Sequence, residues 1–243
     1  MPDPIGWAVL VVGALVGSVV GGVAGFGTGI VMLPLVAWVL GLRVAVPVLT
    51  VTMAIGNLAR IWWSRGEIDR GVVTRFAIGA VPATALGTAL YVGAPSEWLG
   101  RFVGLFLIAS VPLRRILAMD FFRMRLAYFP ALGAVVGLVT GLVVTTGPLN
   151  TPFFLAYGLR RGAYVGTEAL CAMVMHLSRG AALARYALLT WETVAVGALL
   201  GATMFAGSWL GRRVLDRMSD RVFLTIIEVL LVVLGLHSLL FPR

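Results

Sequence analysis

Few side chains in this 243-residue chain can do chemistry, and most of them fall into two sets about half the chain apart. Asn57 and Arg60 stand three residues apart, and so do His176 and Arg179. Residues three apart share a helix face, so each pair couples a guanidinium to a neutral hydrogen-bonding neighbour. Guanidinium is the side chain best shaped for a bidentate grip on a carboxylate or sulfonate. Groups able to complete such a grip lie in two short stretches: Gly27, Thr28 and Gly29 in the first, and Thr145, Thr146, Gly147, Asn150 and Thr151 in the second. Their hydroxyl, amide and backbone N–H groups suit anionic oxygens. The competing use of a helical threonine is a bond back to its own helix carbonyl. Glu168 precedes His176 by about two turns, roughly on one face. A protonatable carboxyl and an imidazole titrating near neutrality could couple proton movement to anion movement. The alternatives are a salt bridge from Glu168 to Arg160 or Arg161, a merely hydrogen-bonded His176, and an Arg60 that snorkels towards headgroups beside Trp62 and Trp63.

The elements that must position these groups are apolar. The chain is 60% hydrophobic and 12% charged, with a mean hydropathy of +1.01, whereas a soluble domain carries about 25% charged residues. Apolar runs lie at about 5–24, 28–40, 44–63, 73–93, 98–118, 127–146, 149–159, 163–184, 190–211 and 222–241. Runs of about 20 residues span a bilayer, so the fold class is all-α: a polytopic helical membrane protein with the lipid bilayer as its solvent. Met1 to Gly6 has no basic residue, so the first run reads as mature protein rather than a signal peptide. The net charge is +9, with arginine as the only basic type apart from two histidines. These arginines fall in short breaks between apolar runs, as on a cytoplasmic membrane face, which argues against nucleic-acid binding. One cysteine, Cys171, excludes an intrachain disulfide and reads as a packing residue. Two histidines exclude a His-rich metal site. Nucleophile-elbow, HExxH and phosphate-loop patterns are missing, so no enzyme, metal or cofactor is expected. Glu228, deep in the last run, could pair with Arg101, and His237 reads as interfacial.

Two runs, 28–40 and 149–159, are too short to cross comfortably, and each follows a break: GFGTGIVMLP from Gly25 and VVTTGPLNTP from Val143. Irregular backbone survives inside a membrane only where protein or a water-filled cavity encloses it. Broken helices at matching places in two repeats point to a transporter's substrate site, and a half-helix that starts after a break aims its positive end at an anion. Further matches support a repeat: Gly29 and Pro34 with Gly147 and Pro152, Gly41-Leu42-Arg43 with Gly158-Leu159-Arg160, and Ser96-Glu97 with Ser219-Asp220. The chain thus divides into repeats at 1–120 and 121–243, together one transmembrane domain. Arg65, Arg70 and Arg75, then Arg114, Arg115, Arg123 and Arg125, mark the cytoplasmic side of the first half. In the second half the basic loop is the one holding Arg212, Arg213, Arg217 and Arg221. The halves therefore face opposite ways, an inverted repeat with broken or re-entrant helices near the midplane, and both termini lie outside the cytoplasm. Five short crossings per half, or three plus a re-entrant hairpin, both satisfy this.

The segment Gly17 to Asp69, with its glycine cluster, Pro34, Gly41-Leu42 and the turn Gly66-Glu67-Ile68-Asp69, resembles the sulfite exporter TauE/SafE family, also called the 4-toluene sulfonate uptake permease family. The second repeat follows the pattern more loosely, with Thr145-Thr146-Gly147-Pro148 for the glycine cluster. The resemblance implies a compact carrier of the bacterial inner membrane for sulfite, sulfonates and sulfoacetate-like anions. The expected function is alternating-access transport of a small organosulfur anion, with proton coupling through Glu168 and His176. An anion-permeable channel and a non-transporting membrane scaffold are the alternatives, and monomer and homodimer are both left open.

Overall fold

Every element among the described residues is helical, the form in which a single segment satisfies its own backbone within hydrocarbon. The computed structural model describes residues 2–24, 27–95, 97–98, 124–143, 146–159 and 161–215, with isolated positions between 101 and 112 and at 232, 236 and 240. Most of the runs at 98–118 and 222–241 lies outside the described residues, as do Arg114, Arg115, Arg123, Arg217, Ser219, Asp220, Arg221, Glu228 and His237. The side chains of Arg212 and Arg213 lie outside them too.

In chain order the helices are α1 (Pro4–Ala24), α2 (Thr28–Leu40), α3 (Leu42–Ser64), α4 (Arg70–Gly93), α5 (Phe129–Val143), α6 (Gly147–Tyr157), α7 (Arg161–Arg185) and α8 (Trp191–Leu215), with a 3₁₀ turn at Leu126–Tyr128 before α5. Among the described residues, five stretches are long and apolar enough to cross a membrane: Pro4–Gly22, Leu42–Trp62, Arg70–Gly93, Leu126–Val143 and Trp191–Leu210. The chain is a multi-pass membrane protein. Helix α7 has the length, at 25 residues, but it carries Thr167, Glu168, His176 and Arg179 and buries all four. A polar helix of this kind is tolerable in a membrane only when other helices enclose it, and α7 packs on α3, α4, α5 and α6.

The short helices are α2 and α6, of 13 and 11 residues, about 20 and 17 Å long against a hydrocarbon thickness of about 30 Å. Helix α2 folds back antiparallel along α1: side chains built at Gly6, Gly13 and Gly21 would meet Val39, Leu35 and Thr28 in turn. Gly41 and Gly158, the glycines of the repeated Gly-Leu-Arg, end α2 and α6 with φ of 80° and 107°. That conformation is closed to most L-residues, and it lets the glycine N–H groups return to Ala37 O and Leu155 O as helix caps. The starts of α4 and α8 are also capped alike. Asp69 accepts from Val72 N at 3.0 Å, and Thr190 Oγ1 accepts from Thr193 N at 3.3 Å.

Packed pairs repeat as well. Helix α1 lies on α2 and α8, and α3 on α2 and α8. Correspondingly, α5 lies on α4, and α7 on α6 and α4. Two apolar cores result. One joins Leu10, Met32, Val36 and Leu49 of α1–α3 to Leu200 and Met204 of α8. The other joins Phe129, Phe154 and Met175 of α5–α7 to Phe76 and Ala80 of α4. Cys171 is buried in the second core as a packing residue. Trp38, Trp62, Trp98, Trp191 and Trp209 are exposed, as interfacial anchors are. Arg65, Arg70, Arg75 and Arg125 are exposed too, and Leu126 beside Gly71 brings them to one end of the molecule.

The tightest seam joins α4 to α5, where Gly79 and Gly87 face Gly133, Gly137 and Gly141. A Cβ on Gly79 would lie 1.9 Å from Pro130 O, and one on Gly133 would lie 2.2 Å from Phe76 O. Neither backbone can yield cheaply. Gly79→Val and Gly133→Val are therefore expected to destabilise by about 1–3 kcal/mol or more. Gly93→Ala, which meets nothing within 4 Å, should stay within about 0.5 kcal/mol. Thermal unfolding in detergent of the three variants checks the contrast, and equal losses at Gly79 and Gly93 would contradict the seam.

Candidate functional site

Each break sets a short helix against the end of the helix before it. At the first, Gly27 (φ 109°) precedes α2. The Thr28 hydroxyl occupies the space a side chain on Gly21 would fill, 1.9 Å from that Cβ position. At the second, Thr146 precedes α6, and its hydroxyl lies 2.6 Å from Thr140 Oγ1. Thr140 gives its own proton to Val136 O at 2.7 Å, so Thr146 is the donor and its proton is committed to α5. Gly147 opens α6 and Gly29 lies in the first turn of α2; both are buried. Thr145 lies outside the described residues. Thr151 follows the helical alternative, donating to Gly147 O at 2.9 Å and meeting Tyr164 OH at 2.8 Å.

The arginines come from α3 and α7, which cross antiparallel. Ser64 lies beside Gly166, Arg60 beside Glu168 and Thr50 beside Gly180. The turn between α3 and α4 fixes this crossing: Asp69 N donates to Thr167 Oγ1 at 2.9 Å, and Glu67 rests over Gly162. In such a crossing Arg60 and Arg179 sit at different depths, about ten residues or roughly 15 Å apart along the helices. The candidate residues therefore form two clusters rather than one.

In the first cluster Arg60 Nη1 meets Glu168 Oε2 at 3.1 Å, and Arg60 Nη2 donates to Asn57 Oδ1. Arg60 is 8% exposed. Snorkelling is thus set aside: the guanidinium turns inward to a carboxylate, while Trp62 stays outside over Arg65. Glu168 finds its partner on α3; Arg160 and the side chain of Arg161 lie outside the described residues. Arg101, considered for Glu228, pairs with Glu97. Ser18, Thr28, Asn57, Arg60 and Ser208 line a cavity of about 10 Å³, room for about one water. Asn57 Nδ2 is buried without a hydrogen-bond partner among the described residues.

In the second cluster Arg179 is 0% exposed and donates from Nη2 to Gly141 O, in the last turn of α5. Its Nε and Nη1 have no hydrogen-bond partner among the described residues, and neither do Asn150 Nδ2 and Oδ1 or His176 Nδ1. Among those residues no carboxylate pairs with Arg179. The first arginine thus faces a carboxylate where the second, among the described residues, does not. Buried donors and buried charge are costly unless paired. Together with the half-helix start of α6, this arrangement can receive an anion.

Thr140 carries part of this geometry and was not singled out from the sequence, because it looks like any helical threonine.

Two buried arginines beside broken helices in a multi-pass bundle define a transport protein of the membrane. The chain belongs to the sulfite exporter TauE/SafE family, whose model matches residues 9–238. No curated protein and no solved structure matches it.

The ion pair gives a direct test. Removing one member of a buried pair costs about 3–5 kcal/mol, because the other charge is stranded. Arg60→Met and Glu168→Ala are each expected to lose that much in equilibrium unfolding, and the double variant far less than their sum. Additive losses would mean that the two groups do not interact.

Proposed function

We propose that the protein is a secondary transporter of small organosulfur anions, sulfite and sulfonates, across the bacterial inner membrane, with the anion held at the second break. The observation that carries this is Arg179: a fully buried guanidinium with Nε and Nη1 unpartnered and no carboxylate against it among the described residues. Asn150 and His176, also buried with polar atoms unpartnered among the described residues, are the further groups assigned to the anion, and α6 contributes the positive end of its dipole. The family description, a sulfite exporter, agrees with a ligand of negative charge. Alternating access follows from an inverted relation between the halves. Its support is the antiparallel course of the counterpart helices α3 and α7, together with the gathering of Arg65, Arg70, Arg75 and Arg125 at one end. His176, with Nδ1 unpartnered, and Glu168 are the groups assigned to proton coupling. Anion flux in proteoliposomes that ignores an imposed pH gradient would remove that assignment.

Arg179→Met separates binding from stability by sign. With no ligand present it relieves a buried, unneutralised charge, so the variant should be at least as stable as the parent. With sulfite at 100 times its dissociation constant, the parent should gain about 2.7 kcal/mol and the variant nothing. Thermal unfolding against sulfite, taurine, sulfate, acetate and chloride at matched ionic strength reads both effects, and proteoliposome uptake reads the loss of transport. An Arg179→Met protein that still binds and moves sulfite would overturn the assignment.

A further inference from the structure

The first break is built from parts like those of the second: a half-helix start, an arginine from the long helix that follows the half-helix, and a hydrogen-bonding side chain one turn before that arginine, Asn57 here and His176 there. Its arginine, however, already has an anion. That anion is the carboxylate of Glu168, which belongs to α7, in the other half of the chain. The cavity beside the ion pair is lined by hydroxyl, amide and guanidinium groups and has room for about one water, less than any sulfur oxyanion needs. Asn57, 1% exposed, lines it and has its Nδ2 unpartnered. A polar pocket with an orphaned buried donor, an arginine and a half-helix end has the composition of an oxyanion site. Here its arginine is shared with a tethered carboxylate that meets Nη1 from outside the cavity.

We propose that Ser18, Thr28, Asn57 and Arg60 form a second oxyanion site, and that Glu168, outside the cavity but on Arg60 Nη1, engages its guanidinium in this conformation as a tethered substitute for the anion. The ligand class is a small oxyanion, monovalent or divalent: carboxylates such as formate and acetate, and sulfite. It enters when the Glu168 carboxylate leaves Arg60, and the two anions exclude each other because they share one guanidinium. The choice of ligand class rests on the reading of Arg179 given above, but the site itself rests on its own residues. Placed about ten residues from Arg179 along the crossing of α3 and α7, it would give the anion a second station at a different depth.

Chemical rescue tests this. Glu168→Ala strands Arg60 and leaves space where the carboxylate was. The purified variant, held in detergent with gluconate as the only bulk anion, should melt well below the parent. Formate, acetate or sulfite should then raise its melting temperature saturably, by several degrees more than they raise the parent's. Arg60→Met combined with Glu168→Ala should show none of this gain. Combining Glu168→Ala with Arg179→Met should keep it, because the rescue does not use the second break. If Glu168→Ala does not fold, Glu168→Gln carries the test: it keeps a hydrogen bond to Arg60 without charge, and a smaller anion-dependent shift is expected. Absence of any such shift in the variant that folds overturns the proposal, as does a rescue abolished by Arg179→Met. A parent protein indifferent to every anion, beside a rescued Glu168→Ala, would instead remove the reading of Arg179 and leave the second site standing.

Discussion

Inside hydrocarbon no interrupted helix can leave its backbone to solvent, and the placement of every other part follows from that constraint. The two breaks expose helix ends, so each must be wrapped. Helix α1 wraps the first by letting α2 fold back along its glycine face. Helix α5 wraps the second, where Thr146 and Arg179 both attach to its last turn. Once backbone ends are enclosed in this way, polar side chains can be held beside them at depths where lipid would reject them. Helix α7 is the clearest product of this arrangement: too polar to face lipid, it is enclosed by protein and carries most of the chemistry.

The two buried arginines differ in charge state. Arg60 meets Glu168, whereas no carboxylate pairs with Arg179 among the described residues. The antiparallel crossing of α3 and α7 then places these two states at different depths. The bundle thereby carries an uneven potential along its length, and an anion crossing it would meet one guanidinium that is engaged and one that is not.

Much of this was legible in the residues. The length and apolarity of the runs located the helices, and the Gly-Leu-Arg noted in the sequence only as a repeat stands in the structure at the ends of α2 and α6, where the backbone suits a glycine. Arg60 and Arg179 drew attention because a charge within an apolar run needs a reason. What the residues could not disclose was pairing across the fold. Arg60 looked interfacial because Trp62 and Trp63 follow it, but the two-residue step from Arg60 to Trp62 is about half a helical turn and puts them on opposite faces. Glu168 looked bound to its sequence neighbours, yet its described partner lies 108 positions away. Partners of that kind depend on the crossing of α3 and α7, which neither sequence contains alone. Nor did the spacing of matched residues reveal that the candidate groups separate into two clusters, because offsets between repeats say nothing about depth.

The exchange of α4 and α8 between the two apolar cores bears on how the chain is made. Helix α1 enters the bilayer before α8, which covers one of its faces and is made only after α2 to α7. The α1–α2 hairpin can close at once, being local, but the first core stays open on one side until α8 has been made. A chain released before α5 would likewise carry an α4 whose glycine face has lost the backbone it closes on.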